Sequence, residues 1–525
     1  MHLGFSYIGL IMLLMLFIPN FLWTKRQPEG YAEYAARENK ILLAFERVGQ
    51  FIVTPCAVMF SDFNPKGWNW WCLVLVLAFL NLIVYDIAWV RYFKSPLKMQ
   101  DFYRSFLGMP LALATYPVIA FYLLGVFGGN ILMIFGAVIL GIGHIGIHTQ
   151  HAREVFGPRK KKHIALRILK WICIAVVVII LATLNTAIAG RSFKQIKRMI
   201  DYRNGVDENI YVELNGRQQY MWIAGRDTSN PVIISLHGGP GGPTTFCDYD
   251  YINYLTDEYT VVIWEETGCG RSYYANADVT PNNDGLTFGS QMDDLDALVD
   301  YLCDRFGQDQ VIIMGHSYGT LLGSEYIAVH PEKVSAYIGI GQVTESFNDE
   351  TTYSYERALE IATQAGEDTS ALENAYADFI RNPDKIDTTA MMALRTAWSP
   401  YLVQTNNTDM SVWDAMTCPT LSVEDVEWYL VMARSVTGDD TFNRLEGVFE
   451  DKLLEYDLNS MGDIFTMPTL FISGSCDWVC PAELAQGYAL INGLDYAPIE
   501  GCGHSPQGQV PEQVAEVIRE FLHGI

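Results

Sequence analysis

Val311-Ile312-Ile313-Met314-Gly315-His316-Ser317-Tyr318-Gly319 runs four apolar residues into a Gly-x-Ser-x-Gly turn. A helix-forming segment, Thr320 to Val329, follows. Strand, sharp turn and helix in that order lift a serine clear of a sheet. The turn strains the backbone at the serine, and the flanking glycines let neighbouring chain pass close by. The five-residue pattern alone recurs by chance. Its meaning depends on whether the chain also supplies a base, an acid to orient that base and an oxyanion site.

Outward from this stretch the same rhythm repeats. Asn209 to Leu214 alternates like a strand, Asn215-Gly216 is a hairpin turn signal, and Gln218 to Ala224 answers as the second strand. Pro231 to Leu236 is a short apolar run ending in His237-Gly238-Gly239-Pro240-Gly241-Gly242-Pro243. Thr260 to Trp264 is another, ending in Glu265-Glu266-Thr267-Gly268-Cys269-Gly270-Arg271-Ser272. Helical periodicity covers Phe288 to Phe306, and Val334 to Ile340 reads as a strand. The rhythm stops over 343–465, which reads as mostly helical. It resumes at Pro468 to Ser473, before Asp477, and at Tyr496 to Ile499, before Gly503-His504. A terminal helix covers about 511–523. Strands alternating with helices predict a mostly parallel sheet covered on both faces. The insertion predicts a lid over the strand ends.

Three chemistry-bearing residues each follow a strand, in the order Ser317, Asp477, His504. A serine hydroxyl is a poor nucleophile at neutral pH and needs a base within hydrogen-bond reach. His504 would take its proton and later pass it to the leaving group. Asp477 would fix the imidazole tautomer and stabilise the imidazolium. The blander readings are a helix-capping Asp477 and an ordinary loop His504; the joint chain order disfavours both. Backbone N–H groups of Tyr318, next after the serine, and of Gly239 in the glycine turn are the expected oxyanion donors. The glycine turn lacks the Gly-Lys-Ser/Thr of a phosphate loop.

These residues resemble the prolyl iminopeptidase family of α/β-hydrolases. The resemblance rests on His-Gly-Gly-Pro-Gly at 237–241, Gly-Cys-Gly-Arg-Ser at 268–272, Gly-His-Ser-Tyr-Gly at 315–319, Asp477 and Gly503-His504. It covers about 205–342 and 466–525. It implies Ser317 as nucleophile, Asp477 and His504 as partners, and Gly239 with Tyr318 as oxyanion donors. It further implies removal of an N-terminal residue, often proline, from a short peptide, and acidic lid residues that bind the substrate's free amine. Glu345, Glu350 and Glu356 are candidates for the last role by location, against the simpler reading of a solvated acidic face. Where the family usually has Asp-Gln before the second glycine turn, this chain has Glu265-Glu266-Thr267.

The first part of the chain has no place in that pattern. The net charge of −25 is unevenly spread: residues 1–200 carry 21 Lys and Arg against 8 Asp and Glu, and the rest is strongly acidic. An acidic globular half argues against nucleic acid as a partner. The ten cysteines show no Cys-x-x-Cys or zinc spacing, and a disulfide framework is not expected. Membrane spans are predicted at 3–23, about 41–60, 72–90, 106–126, 129–148 and 168–189. A cleavable signal peptide at 3–23 is disfavoured, because Lys25-Arg26 follows the apolar run and no basic residues precede it. The run 41–60 carries Glu46-Arg47, and its competing reading is an interfacial helix. Basic residues cluster in 24–40, 91–104 and 153–170, so six spans place the N-terminus outside and residues 190 onward outside the cytoplasm. Arg191, Lys194, Lys197 and Arg198 run against that rule. His144, His148 and His151 share a helix face, and either bind a metal or haem or bond to neighbouring helices.

The expected architecture is an N-terminal α-helical membrane bundle of about six spans (1–190), a linker (191–204), and an α/β-hydrolase fold (205–525), a mostly parallel sheet with a helical lid at 343–465. The expected activity is that of an aminopeptidase of prolyl iminopeptidase type at a cell membrane. It works through an acyl-enzyme on a small peptide, with no metal or cofactor. A membrane-associated esterase or lipase is the first alternative, and a non-catalytic ligand-binding module the second.

Overall fold

The computed structural model describes every residue except Met1, 158–163, 279–282 and 436–439; for 164–181 and Asp440 it describes the backbone alone. The chain forms two compact units, Met1–Gln195 and Ile196–Ile525.

The first unit is helical. Tyr7–Thr24, Lys40–Met59, Cys72–Phe93 and Ile131–Phe156 are each long and apolar enough to cross a membrane. Most of their apolar surface points outward: Leu14, Phe21, Phe51, Leu77 and Phe135 are exposed. Such faces are expected where lipid replaces water as the surrounding medium. The run expected to span 106–126 is shorter than predicted. Its helix is Ala112–Phe127, because Gly108 takes a left-handed conformation and Pro110 follows it, so no helix forms before Leu111. The span expected at 168–189 falls largely on residues whose side chains lie outside those described; their backbone belongs to one long helix, Ile164–Asp201.

Lys40–Met59 and Ile131–Phe156 lie in close contact through small residues: a Cβ on Gly143 would sit 2.2 Å from the Glu46 nitrogen. That approach lets His144 Nδ1 donate to Glu46 Oε1 at 2.8 Å. His151 Nδ1 and the Tyr103 hydroxyl share a hydrogen bond of 2.7 Å. Two of the three histidines therefore bond between helices, the bland reading of that face.

The second unit is built on one eight-stranded sheet: β1 (Val206–Leu214), β2 (Arg217–Gly225), β3 (Val232–Leu236), β4 (Thr260–Glu265), β5 (Val311–His316), β6 (Val334–Ile340), β7 (Thr469–Gly474) and β8 (Asp495–Ile499). Its order is β1-β2-β4-β3-β5-β6-β7-β8. Asn215 and Gly216 both have positive φ, the conformation a two-residue hairpin requires, and Leu214 pairs Arg217 across them. β1, β2 and β4 pair antiparallel; every pair from β4–β3 to β7–β8 is parallel. β3, β4 and β7 are buried at every position because both faces of the sheet are covered. Ile234, Val262 and Ile313 join one core with the helix Phe288–Phe306, while Ile233, Val261 and Ile312 join the other with the C-terminal helix Pro511–His523.

The chain leaves β3 for β4 on one side and returns to β5 on the other. The carboxyl ends of β3 and β5 therefore form the point where the order reverses, the usual site of ligand binding in such sheets. Among the described residues the insertion after β6 supplies six α-helices, from Phe347–Ala365 to Asp440–Glu455. The earlier ones share their own core around Tyr355, Leu372, Leu394 and Trp398. Trp428, Leu445 and Phe449 of the later ones join the core of the sheet. The stretch expected as a linker is helical as far as Asp201. There Arg198 pairs with Asp207 of β1 and lies over the Trp222 ring at 5.0 Å.

Candidate active site

Ser317 sits between β5 and the helix Tyr318–Val329 with φ 53° and ψ −123°, a region non-glycine residues seldom occupy. Close packing fixes it there. A Cβ on Gly319 would come 2.3 Å from the Leu236 carbonyl oxygen at the end of β3. The Ser317 N–H donates to Ile340 at the end of β6 (3.0 Å), and its carbonyl accepts from Thr320 (2.7 Å). Tyr318 opens the helix, so its N–H has no acceptor four residues back and lies at the positive end of the helix dipole.

Asp477 follows β7 and is 2% exposed. Its Oδ1 accepts the N–H groups of Val479 (2.9 Å) and Cys480 (3.1 Å). That fixes the carboxylate so that Oδ2 accepts from His504 Nδ1 at 2.9 Å. A proton on Nδ1 leaves Nε2 of the neutral ring as an acceptor. Two further residues join this pair to the serine turn. Gly341, next after Ile340, has φ 58°, and a Cβ there would fall 3.2 Å from His504 Cε1 and 3.3 Å from Asp477 Oδ2. His316, next before Ser317, donates from Nε2 to the His504 carbonyl at 2.9 Å. Burial, with His504 alongside, lowers the His316 pKa to about 4, so its ring is neutral at neutral pH.

The glycine turn after β3 brings Gly238 beside the serine turn: a Cβ on it would lie 3.1 Å from Ser317 Cβ. Trp428 Nε1 donates to the Gly241 carbonyl at 2.9 Å and ties the turn to the insertion. Beneath it lies a cluster that the sequence reading missed. His237 Nδ1 donates to the Gly238 carbonyl (2.8 Å), leaving Nε2 to accept from the Cys269 thiol at 3.5 Å. Glu266 Oε1 stands 3.9 Å from the same nitrogen. Burial raises the pKa of both the Glu266 carboxyl and the Cys269 thiol. Glu266 Oε2 accepts from Gln291, which in turn accepts from the Tyr318 hydroxyl at 2.6 Å. The network thus connects the second glycine turn to Tyr318 and to Gly238, the residue next before Gly239. Its nitrogen, oxygen and sulfur lie within 4.8 Å of one another, the one donor set of this kind among the described residues. The signal in the sequence was the pair of glycine turns themselves, which end β4 and β3 as neighbours.

A cavity of about 720 Å³ opens beside the turn, lined by Gly239, Ser317 and Tyr318 and by residues of the insertion. Its volume is that of a small-molecule site. Of the three glutamates proposed from location, only Glu350 is on its wall. It is buried rather than solvated, and burial raises its pKa to about 8 although Oε1 accepts the Thr344 N–H at 2.8 Å. Glu356 is exposed, and neither it nor Glu345 lines the cavity. Three unforeseen carboxylates do: Asp387, and Glu446 and Glu450 on the helix Asp440–Glu455. Burial, and then Glu450, raises the Glu446 pKa to about 7.

Residues 231–509 match the family model described as the alpha/beta hydrolase fold. The chain belongs to that family. Among curated proteins, the hydrolase unit is similar to a probable aminopeptidase of Bacillus subtilis, 23% identical over 321 residues, covering 58% of this chain and 93% of the relative. It is also similar to the proline iminopeptidase of Thermoplasma volcanium, 21% identical over 329 residues, covering 60% of this chain and 96% of the relative. Among solved structures, the proline iminopeptidase of Mycobacterium smegmatis aligns with a TM-score of 0.41 at 18% identity, over 60% of this chain and 98% of that one. A membrane phospholipase A aligns with a TM-score of 0.43 at 17% identity, over 69% of this chain and 97% of that one.

Within this hydrolase fold the carboxyl ends of β3, β5, β7 and β8 bring Gly239, Ser317, Tyr318, Asp477 and His504 to one edge of the sheet. What the arrangement offers chemically is a strained serine, an oriented imidazole, and backbone N–H groups at a glycine turn and a helix start. The Arg271 side chain of the second glycine turn holds the insertion in place. It is buried, pairs with Asp425 at 2.5 Å and donates to the Thr420 carbonyl at 2.6 Å.

Proposed function

We propose that the protein is a membrane-anchored serine aminopeptidase of prolyl iminopeptidase type. His504 removes the Ser317 proton as Oγ attacks the carbonyl of the substrate's first residue. The tetrahedral oxyanion is held by the N–H groups of Gly239 and Tyr318. His504, oriented by Asp477, returns the proton to the leaving amine, and the acyl-enzyme forms. Water, deprotonated by the same histidine, then releases the residue and restores Ser317.

The observation that carries the exopeptidase reading is the acidic wall of the cavity. Glu446 and Glu450 line the same cavity as Ser317 and suit a free α-ammonium group, whose charge would favour the ionised form of Glu446. The named relatives, a probable aminopeptidase and a proline iminopeptidase, support the same class. The membrane-length helices favour a second reading, an esterase acting on acyl esters at the bilayer. In both readings the positive-inside pattern puts the hydrolase unit outside the cytoplasm.

Chromogenic amino-acid amides with free amines, their N-blocked counterparts and simple aryl esters separate the two. The exopeptidase reading expects turnover of the free amines and rejection of the blocked ones. Equal turnover of both sets would end it.

A further inference from the structure

The cavity lining that carries the carboxylates also carries two cationic side chains, Lys385 and Arg395. Arg395, on the helix Thr388–Trp398, lines the cavity with Ser317, Glu446 and Glu450. Its Nε is closed off from solvent and has no hydrogen-bond partner. Among the described residues it forms no ion pair. Burial lowers its pKa, yet a guanidinium stays charged at any working pH. The buried guanidinium groups of Arg271 and Arg198 are matched, by Asp425 and by Asp207. A half-buried guanidinium with its Nε shut off from solvent and no carboxylate beside it is costly and persists where something else is gained. In a substrate cavity that gain is a site already organised for an anion. The planar fork of an arginine suits a carboxylate.

Building on the aminopeptidase reading, we propose that Arg395 binds the C-terminal carboxylate of the substrate, so that the cavity selects short peptides free at both ends. Glu446 and Glu450 take the ammonium group from the helix Asp440–Glu455; Arg395 takes the carboxylate from a different helix of the insertion. Opposite charges on two helices match a zwitterionic di- or tripeptide and reject long chains, whose carboxylate lies beyond the cavity.

The test uses the full chain in detergent with pairs of dipeptides that differ only in a free or amidated C-terminus. The free acids should be cleaved with kcat/KM about 10- to 100-fold higher, carried mainly by KM, as for a hydrogen-bonded charge pair. Arg395→Met should bring the acid-to-amide ratio close to one, and Arg395→Lys should restore part of it. Equal kcat/KM for acid and amide in the wild type would overturn the proposal, and so would an unchanged ratio in Arg395→Met. The wild-type ratio decides even where a variant fails to fold. Hydrolysis of aryl or phospholipid esters with no cleavage of either peptide would instead overturn the aminopeptidase reading, and the carboxylate site with it.

Discussion

Asp477 Oδ2 accepts from His504 Nδ1 at 2.9 Å while Asp477 Oδ1 takes two backbone N–H groups. The carboxylate is therefore held from one side and spends its other oxygen on the imidazole. Asp477→Asn keeps the shape but offers the ring a donor as readily as an acceptor. It should lower kcat on the order of 10⁴-fold through the wrong tautomer, with KM little changed. Steady-state kinetics on the best substrate of the amide panel checks this.

Gly341 is in van der Waals range of both members of that pair and has a positive φ. Gly341→Ala sets a methyl group 3.2 Å from His504 Cε1, in a conformation alanine resists. The His504 ring must give by about a few tenths of an ångström, so the loss should stay below the about 10²-fold of a 1 Å misplacement. The loss should appear in kcat, with the melting temperature falling far less than for a core deletion.

Glu446 gives a pH dependence with a definite sign. Its pKa of about 7 means it is neutral below that pH and anionic above it. If it receives the substrate ammonium, KM should rise as pH falls through about 7. Glu446→Gln should raise KM at pH 8 and flatten the profile. A KM profile that is the same in wild type and variant would remove Glu446 from amine binding.

The Arg271–Asp425 pair is buried and tethers the insertion to the second glycine turn. Asp425→Ala leaves the guanidinium with only Glu265, 3.9 Å away, and should cost less than the about 3–5 kcal/mol of a fully unmatched buried charge. Thermal unfolding of the full chain should show it as a lower melting temperature.

The topology inferred from the basic loops also has a direct check. A membrane-impermeant amine reagent applied to intact cells should modify the hydrolase unit. Protection there, with labelling only after lysis, would reverse the orientation. Arg198, one of the four basic residues that run against the rule, is engaged by Asp207 and has a structural use for its charge.

Much of this was legible in the chain because it is local. The apolar run 311–314 before Gly315 marks a buried strand, and Asn215-Gly216 fixes a hairpin whatever surrounds it. The insertion showed itself by the loss of strand rhythm after Ile340. What depends on distant partners was not legible. His237, Glu266 and Cys269 meet only because β3 and β4 are neighbours, and nothing in their spacing announces it. Glu446 and Arg395 read as ordinary helix-surface charges until the insertion folds them onto one cavity. The helix Ala112–Phe127 was overextended in the sequence reading because hydropathy averages across Gly108 and Pro110, whereas the backbone does not.

The central claim, that Ser317 carries the acyl group, is tested most directly by mass spectrometry after treatment with a fluorophosphonate. The expected result is one adduct per chain, mapped to the peptide containing Ser317, lost in Ser317→Ala together with all turnover. An adduct on another residue, or turnover persisting in Ser317→Ala, would contradict the account.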